Sequence, residues 1–404
     1  MESELKAYHH LYAERFVIRE RRPAARRRAG SLSPASEAPL EVWFDEAAVK
    51  IHQAEVAKTL GHPEGVLALT SYTLPPTYPG LAGAKGAPAD GPTGPAANVL
   101  MYVSPAGAAP LDRRLFLPET WFHGERPASD VTWSIPAWVT YQTGLTLGAE
   151  MVKAVLDGGL VPARGVILDQ AYSQAWWFLD ELHQAGQAFY VAGNRTHPYW
   201  RHAPADAGAW ETGRVDLLAA RLPRAAWHPA GDEEFTAQRI VLDRRGQPGP
   251  EGWLIVRRPA GSLAVDDWQL CLSNAPAGMA PGRLAEWLGW QSAVAAVLDD
   301  CRAEAADAAP GWAGWHHHTT LTMVAHHFLL QLRRRFGAAA PALNLPQTRR
   351  LLEAVLLRPE FDIWPAVAEI EAIQRQNLAA FCTPEPEVVQ PALAEALHEP
   401  WPAI

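Results

Sequence analysis

The sequence predicts a layered α/β protein with a β-rich insertion and a helical C-terminal part. Three observations carry this. Apolar strand-like runs alternate with helix-patterned stretches between residues 41 and 195. Short strand-like runs cluster between 196 and 275. From Arg283 onward the pattern is nearly all helical. The expected organisation is therefore a basic helical arm and linker over 1–40, the first part of the α/β core over 41–195, and the insertion over 196–275. C-terminal helices complete the core over 276–382, and a Pro-rich acidic tail fills 383–404.

Each element has a local reason. Residues 1–30 are helix-patterned and then basic, with Arg19, Arg21, Arg22, Arg26, Arg27 and Arg28 as the densest positive block. SLSPASEAP (31–39) is a linker by composition. Trp43 to Leu60 reads as a helix with Asp45 and Glu46 in its first turn. VLALTSYTLPP (66–76) reads as a buried strand closed by two prolines, and the Gly/Pro-dense stretch 75–97 as a loop. NVLMYVS (98–104) and LDRRLFLP (111–118) read as strands joined by a turn containing Pro-Ala-Gly. Residues 141–158 read as a helix ending at Gly158-Gly159. RGVILDQAY, a helix from about Gln174 to Gln184, and AFYVAG (188–193) complete a strand–helix–strand unit. QRIVLDRRG, WLIVRRPAG and WQLCLS supply short strands, followed by helices at about 283–305, 315–336, 346–357 and 363–380.

Composition bounds the function. The chain has 404 residues, is 48% hydrophobic and carries a formal net charge of -9. Nucleic-acid binding usually leaves a basic footprint, so that charge weighs against it. Seventeen Trp must pack in cores or line grooves. Cys271, Cys301 and Cys382 are widely spaced with no CxxC, which predicts a reducing cytoplasm and no disulfide framework. The polar start MESELKAYHHLYAERF is no apolar signal, and no run approaches the ~18 apolar residues of a membrane span. P-loop, GxSxG and HExxH motifs are absent.

Asp169 ends the run Val166-Ile167-Leu168. A carboxylate at a strand end is placed to hold Mg²⁺ over a sheet edge, or simply to cap the following helix. The histidines of GWHHHTTLTMVAHHFLL include the pairs His316/His327 and His318/His326, but zinc needs three or four convergent ligands, and core histidines beside Trp312 and Trp315 are the plainer reading. Asp299-Asp300 reads as a solvated helix face.

Several segments, in order, match one known pattern. EVWFDEAAV followed by VLALTSYTLPP, NVLMYVSPAGAAPLDRRLFLPETW, RGVILDQAYSQAWWFLDELHQAGQAFYVAG, WLIVRRPAG with LCLSNAPAG, and GWAGWHHHTTLTMVAHHFLLQLRRRFG carry it. Through them the chain resembles DDE-type insertion-sequence transposases, most closely insertion-sequence family 701, from about Val42 to Gln376. The resemblance implies an RNase H-like mixed sheet flanked by helices, with a β-rich insertion before the last catalytic helix. It implies metal-assisted cleavage and transfer of DNA strands, with two Mg²⁺ held by two Asp and one Glu.

Carried over residue by residue, the first Asp falls on Thr70, with Ser71 beside it. The second falls on Asp169, and the Glu on Ser292, or on Ala293 if Trp290 sets the match. Only Asp169 is acidic. The groups that usually follow the first Asp are replaced by Leu74-Pro75-Pro76, and the stretch between the Arg19–Arg28 block and Trp43 is short for the family. The implied reading is a protein with two of three catalytic carboxylates missing, needing Mg²⁺ or Mn²⁺ only if active and no cofactor otherwise. It would bind double-stranded DNA through Arg19, Arg21, Arg22, Arg26, Arg27, Arg28, Arg257, Arg258, Arg333, Arg334 and Arg335. A homodimer is compatible with it, and its place would be the cytoplasm, at the nucleoid if DNA-bound. Two rivals stand beside it. One is an active transposase in which Asp299 or Asp300 replaces the Glu and Asp90 the first Asp. The other is a repurposed interaction protein, or an enzyme of unrelated chemistry, with no DNA role.

Overall fold

The computed structural model describes residues 42–74, 95–122, 135–203, 206–305, 311–336 and 347. The Arg19–Arg28 block, Asp90 with most of its Gly/Pro loop, nearly all of the helices expected over 346–380 and the acidic tail lie outside the described residues. The chain divides into two compact units, one spanning Gln53–His316 and the other combining Met1–His52 with His317–Ile404.

The larger unit is built on a mixed sheet. Its first strands are β1 (Val66–Thr73), β2 (Ala96–Ser104), β3 (Gly107–Phe116), β4 (Gly165–Leu168) and β5 (Ala188–Ala192). They lie in the order β3-β2-β1-β4-β5, with β2 antiparallel to both neighbours and β1, β4 and β5 mutually parallel. Helices α2 (Gly144–Gly158) and α3 (Trp176–Gln184) connect them. This is the RNase H-like arrangement. Val66–Leu69 and Gly165–Leu168 are buried throughout, as parallel strands covered on both faces must be.

Helix α2 starts at Thr143, whose hydroxyl accepts from the Thr146 N–H at 3.2 Å, and stops at Gly159 with φ 61°. It lies close on the sheet. A Cβ at Gly148 would stand 2.0 Å from Tyr172 Oη and 2.8 Å from Leu69 Cδ2. Gly148→Ala is therefore expected to lift the helix and destabilise this unit by about 1–3 kcal/mol, read as a lower urea midpoint. An unchanged midpoint would contradict this packing.

The insertion continues the same sheet. After β5 the chain forms β6 (Pro198–Ala203), β7 (Asp206–Arg214), the short α4 (Val215–Ala220), β8 (His228–Ala230), β9 (Glu233–Asp243) and β10 (Pro248–Pro259). It returns as β11 (Gln269–Ser273), which pairs antiparallel with β5. The described sheet has eleven strands, ending β5-β11-β10-β9-β6-β7 with β8 on β9. Helix α5 (Pro281–Ala305) follows.

Helices α1 (Val42–Leu60) and α6 (Trp312–Phe336) each contribute to both units. Within the smaller unit, Ala48 of α1 packs with Leu321 of α6, and the His52 and His327 rings meet edge-on at 5.5 Å.

Two local expectations need correcting, and one hairpin was not expected. The third strand begins at Gly107 rather than 111, because Ser104 and Gly107 face each other across a two-residue turn. Residues 170–174 form a 3₁₀ turn capped by Asp169, so α3 starts only at Trp176. The β6–β7 hairpin was not legible at all: PYWRHA and DAGAWETGR alternate without an apolar run.

Candidate functional site

The site is formed where two parallel strands end side by side. Leu69 on β1 is in register with Leu168 on β4, so the residues just after them emerge at one sheet edge. Asp169 follows with extended backbone (φ -71°, ψ 172°). Its Oδ1 accepts the Ala171 N–H at 3.0 Å, which caps the 170–174 turn. Its Oδ2 accepts the Ser71 hydroxyl at 3.3 Å.

Strand alternation decides which hydroxyl reaches the carboxylate. Side chains on β1 point alternately to opposite faces, so Thr70 and Ser71 cannot both meet Asp169. Ser71 does. Thr70 pairs with Val99 across β2, whereas Ser71 pairs with Asn98 and, one strand further, Asn98 pairs with Arg114. Ser71, Asn98 and Arg114 thus form a row across three strands. Asn98 is buried, and its Nδ2 has no hydrogen-bond partner. Arg114 donates to Asp112 Oδ1 at 3.3 Å, so its charge is matched locally.

Burial raises the carboxyl of Asp169 above its ordinary range, opposed by the Ala171 N–H and the Ser71 hydroxyl. A pair of Mg²⁺ ions would need several carboxylate oxygens. These strand ends offer one carboxylate, whose two oxygens already accept hydrogen bonds, together with one hydroxyl. No described group of three or more His, Cys, Asp or Glu is arranged to hold a metal. The described residues at these strand ends do not fit the two-ion group that the resemblance implies.

The other candidates lie on other elements of the chain. Ser292, Ala293, Asp299 and Asp300 are helical positions on α5, and Asp299 is exposed. Arg257 pairs with Glu233. Arg258 is buried, with Nη2 2.8 Å from Glu234 Oε1 and its guanidinium 3.5 Å from the centroid of the Trp227 ring. Both guanidiniums are thereby engaged inside the insertion. Arg333 and Arg334 are exposed on α6, and Arg335 is a helical position beside them. His316 is buried against Trp312 and Trp315, and His327 against His52, with Gln331 Nε2 3.1 Å from its Nε2. Both histidines pack against aromatic rings. What the sequence could not reveal was the Ser71–Asn98–Arg114 row, because pairing register is not written in any one strand.

No protein-family model matches the chain, and no curated protein matches it. Among solved structures, a cryo-EM structure of the piggyBac transposase synaptic complex with hairpin DNA aligns over 90% of this chain and 65% of that one, at 12% identity and a TM-score of 0.37. This chain thus spans about two thirds of the length of that transposase chain. At that TM-score the likeness carries no inference, and the fold is read from the strand order above. No described helix is long and apolar enough to cross a membrane.

Proposed function

We propose that the chain is a transposase-like protein of the RNase H fold that binds double-stranded DNA without cutting it. The observation that carries this reading is the strand-end geometry: Asp169 stands alone among the three positions matched to catalytic carboxylates, and Ser71 donates to it. The sequence resemblance supplies the transposase ancestry. Contact with DNA is assigned to Arg19, Arg21, Arg22, Arg26, Arg27 and Arg28 and to the cluster Arg333, Arg334 and Arg335. Arg257 and Arg258 are set aside because each is paired with a glutamate.

Two measurements test it. Purified protein incubated with supercoiled plasmid and Mn²⁺ is expected to produce no nicks, as is Asp169→Ala. Nicking by the wild type that vanishes in the variant would establish an active site around Asp169 and overturn the reading. Duplex binding is expected to weaken steeply with salt, and replacing Arg333, Arg334 and Arg335 by Gln should lower the log–log salt slope by up to about 2–3. A protein that binds no duplex even at low salt would instead be a scaffold without a DNA role, the reading that the net charge of -9 favours.

A further inference from the structure

We propose that β7 is an interaction edge, and that its occupant is the β7 strand of a second copy of this chain, paired antiparallel about a two-fold axis through Trp210. The inference is independent of whether the chain binds DNA and concerns the insertion rather than the ends of β1 and β4.

The described sheet ends in β3 on one side and in β7 on the other. A terminal strand offers its outer N–H and C=O groups to another chain unless something blunts it. β3 is blunted: most of its residues are buried, and it carries Pro110. β7 has neither Pro nor Lys, and among the described residues it pairs only with β6. β6 in turn meets β9 only at Tyr199↔Leu242 and Trp200↔Val241, so most of the β6–β7 hairpin is not held by the rest of the sheet. Trp210, Thr212 and Arg214 are exposed along one face of β7. The strand, DAGAWETGR, is complementary to itself. With Trp210 on a two-fold axis, position 206 of each copy lies opposite position 214 of the other, and the sequence has aspartate at 206 and arginine at 214. Arg214 donates to Asp216 through Nε at 3.1 Å and Nη2 at 2.5 Å, which leaves Nη1 for a second carboxylate. Trp210, 41% exposed, would meet its own copy across the axis as a cross-strand aromatic pair. Moving the axis to Glu211 opposes two carboxylates instead, so charge selects the Trp210 register. The contact uses the same edge of both copies and therefore closes at two. One strand a side is a small interface, so the dimer is weak, with a Kd on the order of 10–100 µM.

The test is sedimentation velocity on the full chain, across concentrations that bracket that Kd. The wild type is expected to pass from monomer to dimer. Trp210→Lys and Trp210→Glu each set like charges on the axis and are expected to weaken association about tenfold or more. An equal mixture of the two variants sets Lys against Glu and is expected to recover it. Asp206→Arg opposes arginines at both ends of the paired strands and is expected to weaken the dimer likewise. The Tm of each variant checks its folding. Hydrogen exchange of the wild type needs no variant: amides of residues 206–214 are expected to slow in concentrated protein relative to dilute protein. A wild type that stays monomeric throughout overturns the proposal. So does a dimer that folded Trp210→Lys and Trp210→Glu leave unchanged, which would put the contact elsewhere. A mixture no tighter than either folded variant overturns the two-fold pairing, as does an Asp206→Arg dimer of wild-type affinity. If the variants do not fold, slowed exchange at 206–214 in the wild-type dimer supports the proposal and its absence there overturns it.

Discussion

Replacing Arg258 with alanine is expected to lower the unfolding free energy of the Gln53–His316 unit by about 3–5 kcal/mol, the cost of removing one member of a buried ion pair. The magnitude follows from what the guanidinium holds. Arg258 on β10 lies directly across from Glu234 on β9, with Nε 2.8 Å from Glu234 Oε1. The same carboxylate oxygen accepts the Gly261 N–H at 3.2 Å. On its flanks are the Trp227 ring, 3.5 Å from the guanidinium carbon, and the Trp268 ring at 5.2 Å. The two indoles are 5.8 Å apart, with the arginine as the filler between them. Alanine leaves Glu234 half-desolvated and opens a gap between two large aromatic rings. Arg258→Lys keeps the charge over the rings but loses the planar fork, so it should recover only part of the stability. Urea midpoints of the three proteins read the order directly. The same lysine variant is expected to leave duplex affinity unchanged at matched salt, because the side chain faces inward. A large loss of affinity without loss of stability would return Arg258 to the DNA-binding set.

Arg258 also shows what the sequence could and could not disclose. RRP beside an apolar strand reads as a basic patch, and nothing adjacent contradicts that. The groups that capture it, Trp227, Glu234 and Trp268, arrive through the pairing of β8, β9 and β10 and the turn before β11. The core was far more legible. Val66–Leu69 and Val166–Leu168 are continuous apolar runs because parallel strands are covered on both faces, and that signal survives in a single sequence. The helix end at Gly158-Gly159 was legible, and the structure shows why glycine suits it: Gly159 is left-handed. Asp169 was legible as a strand-end carboxylate. Its partner was not. Counting along VLALTSYT places Thr70 and Ser71 side by side, but one peptide separates two faces of the sheet, and it is the Ser71 hydroxyl that donates to Asp169.

The second large effect is on acid stability, through His316. Its ring stacks on Trp312 at 3.9 Å and meets Trp315 edge-on at 4.7 Å. Nδ1 lies 2.9 Å from the Trp312 carbonyl oxygen, which can only accept, so the proton of the neutral ring sits on Nδ1. Burial, then the charge of Arg113, holds this imidazole well below its ordinary pKa. The Trp312 carbonyl opposes that shift, and Arg114 adds to it. Arg113 is itself fully buried beside Asp112, with Nη1 3.6 Å from Asp112 Oδ1. An imidazolium at 316 would therefore add a second buried positive charge to the neighbourhood of Arg113. The sign follows. Above about pH 6.5 the histidine is neutral in both folded and unfolded chains, and its packing contributes fully. Below that value the unfolded chain takes up a proton that the folded chain refuses, so stability falls by up to about 1.4 kcal/mol per pH unit. His327 in the smaller unit shifts the same way, chiefly from burial and then from His52. The two must be separated by substitution. In His316→Asn the amide nitrogen can replace Nδ1 as donor to Trp312 but does not titrate. That variant should be less stable at neutral pH, having lost the stacked ring, and should show a shallower loss of stability between about pH 6.5 and 5 than the wild type. Urea midpoints measured across that range decide it. Parallel pH curves for the two proteins would mean that His316 is protonated in the folded chain and that the Arg113 neighbourhood tolerates a second positive charge.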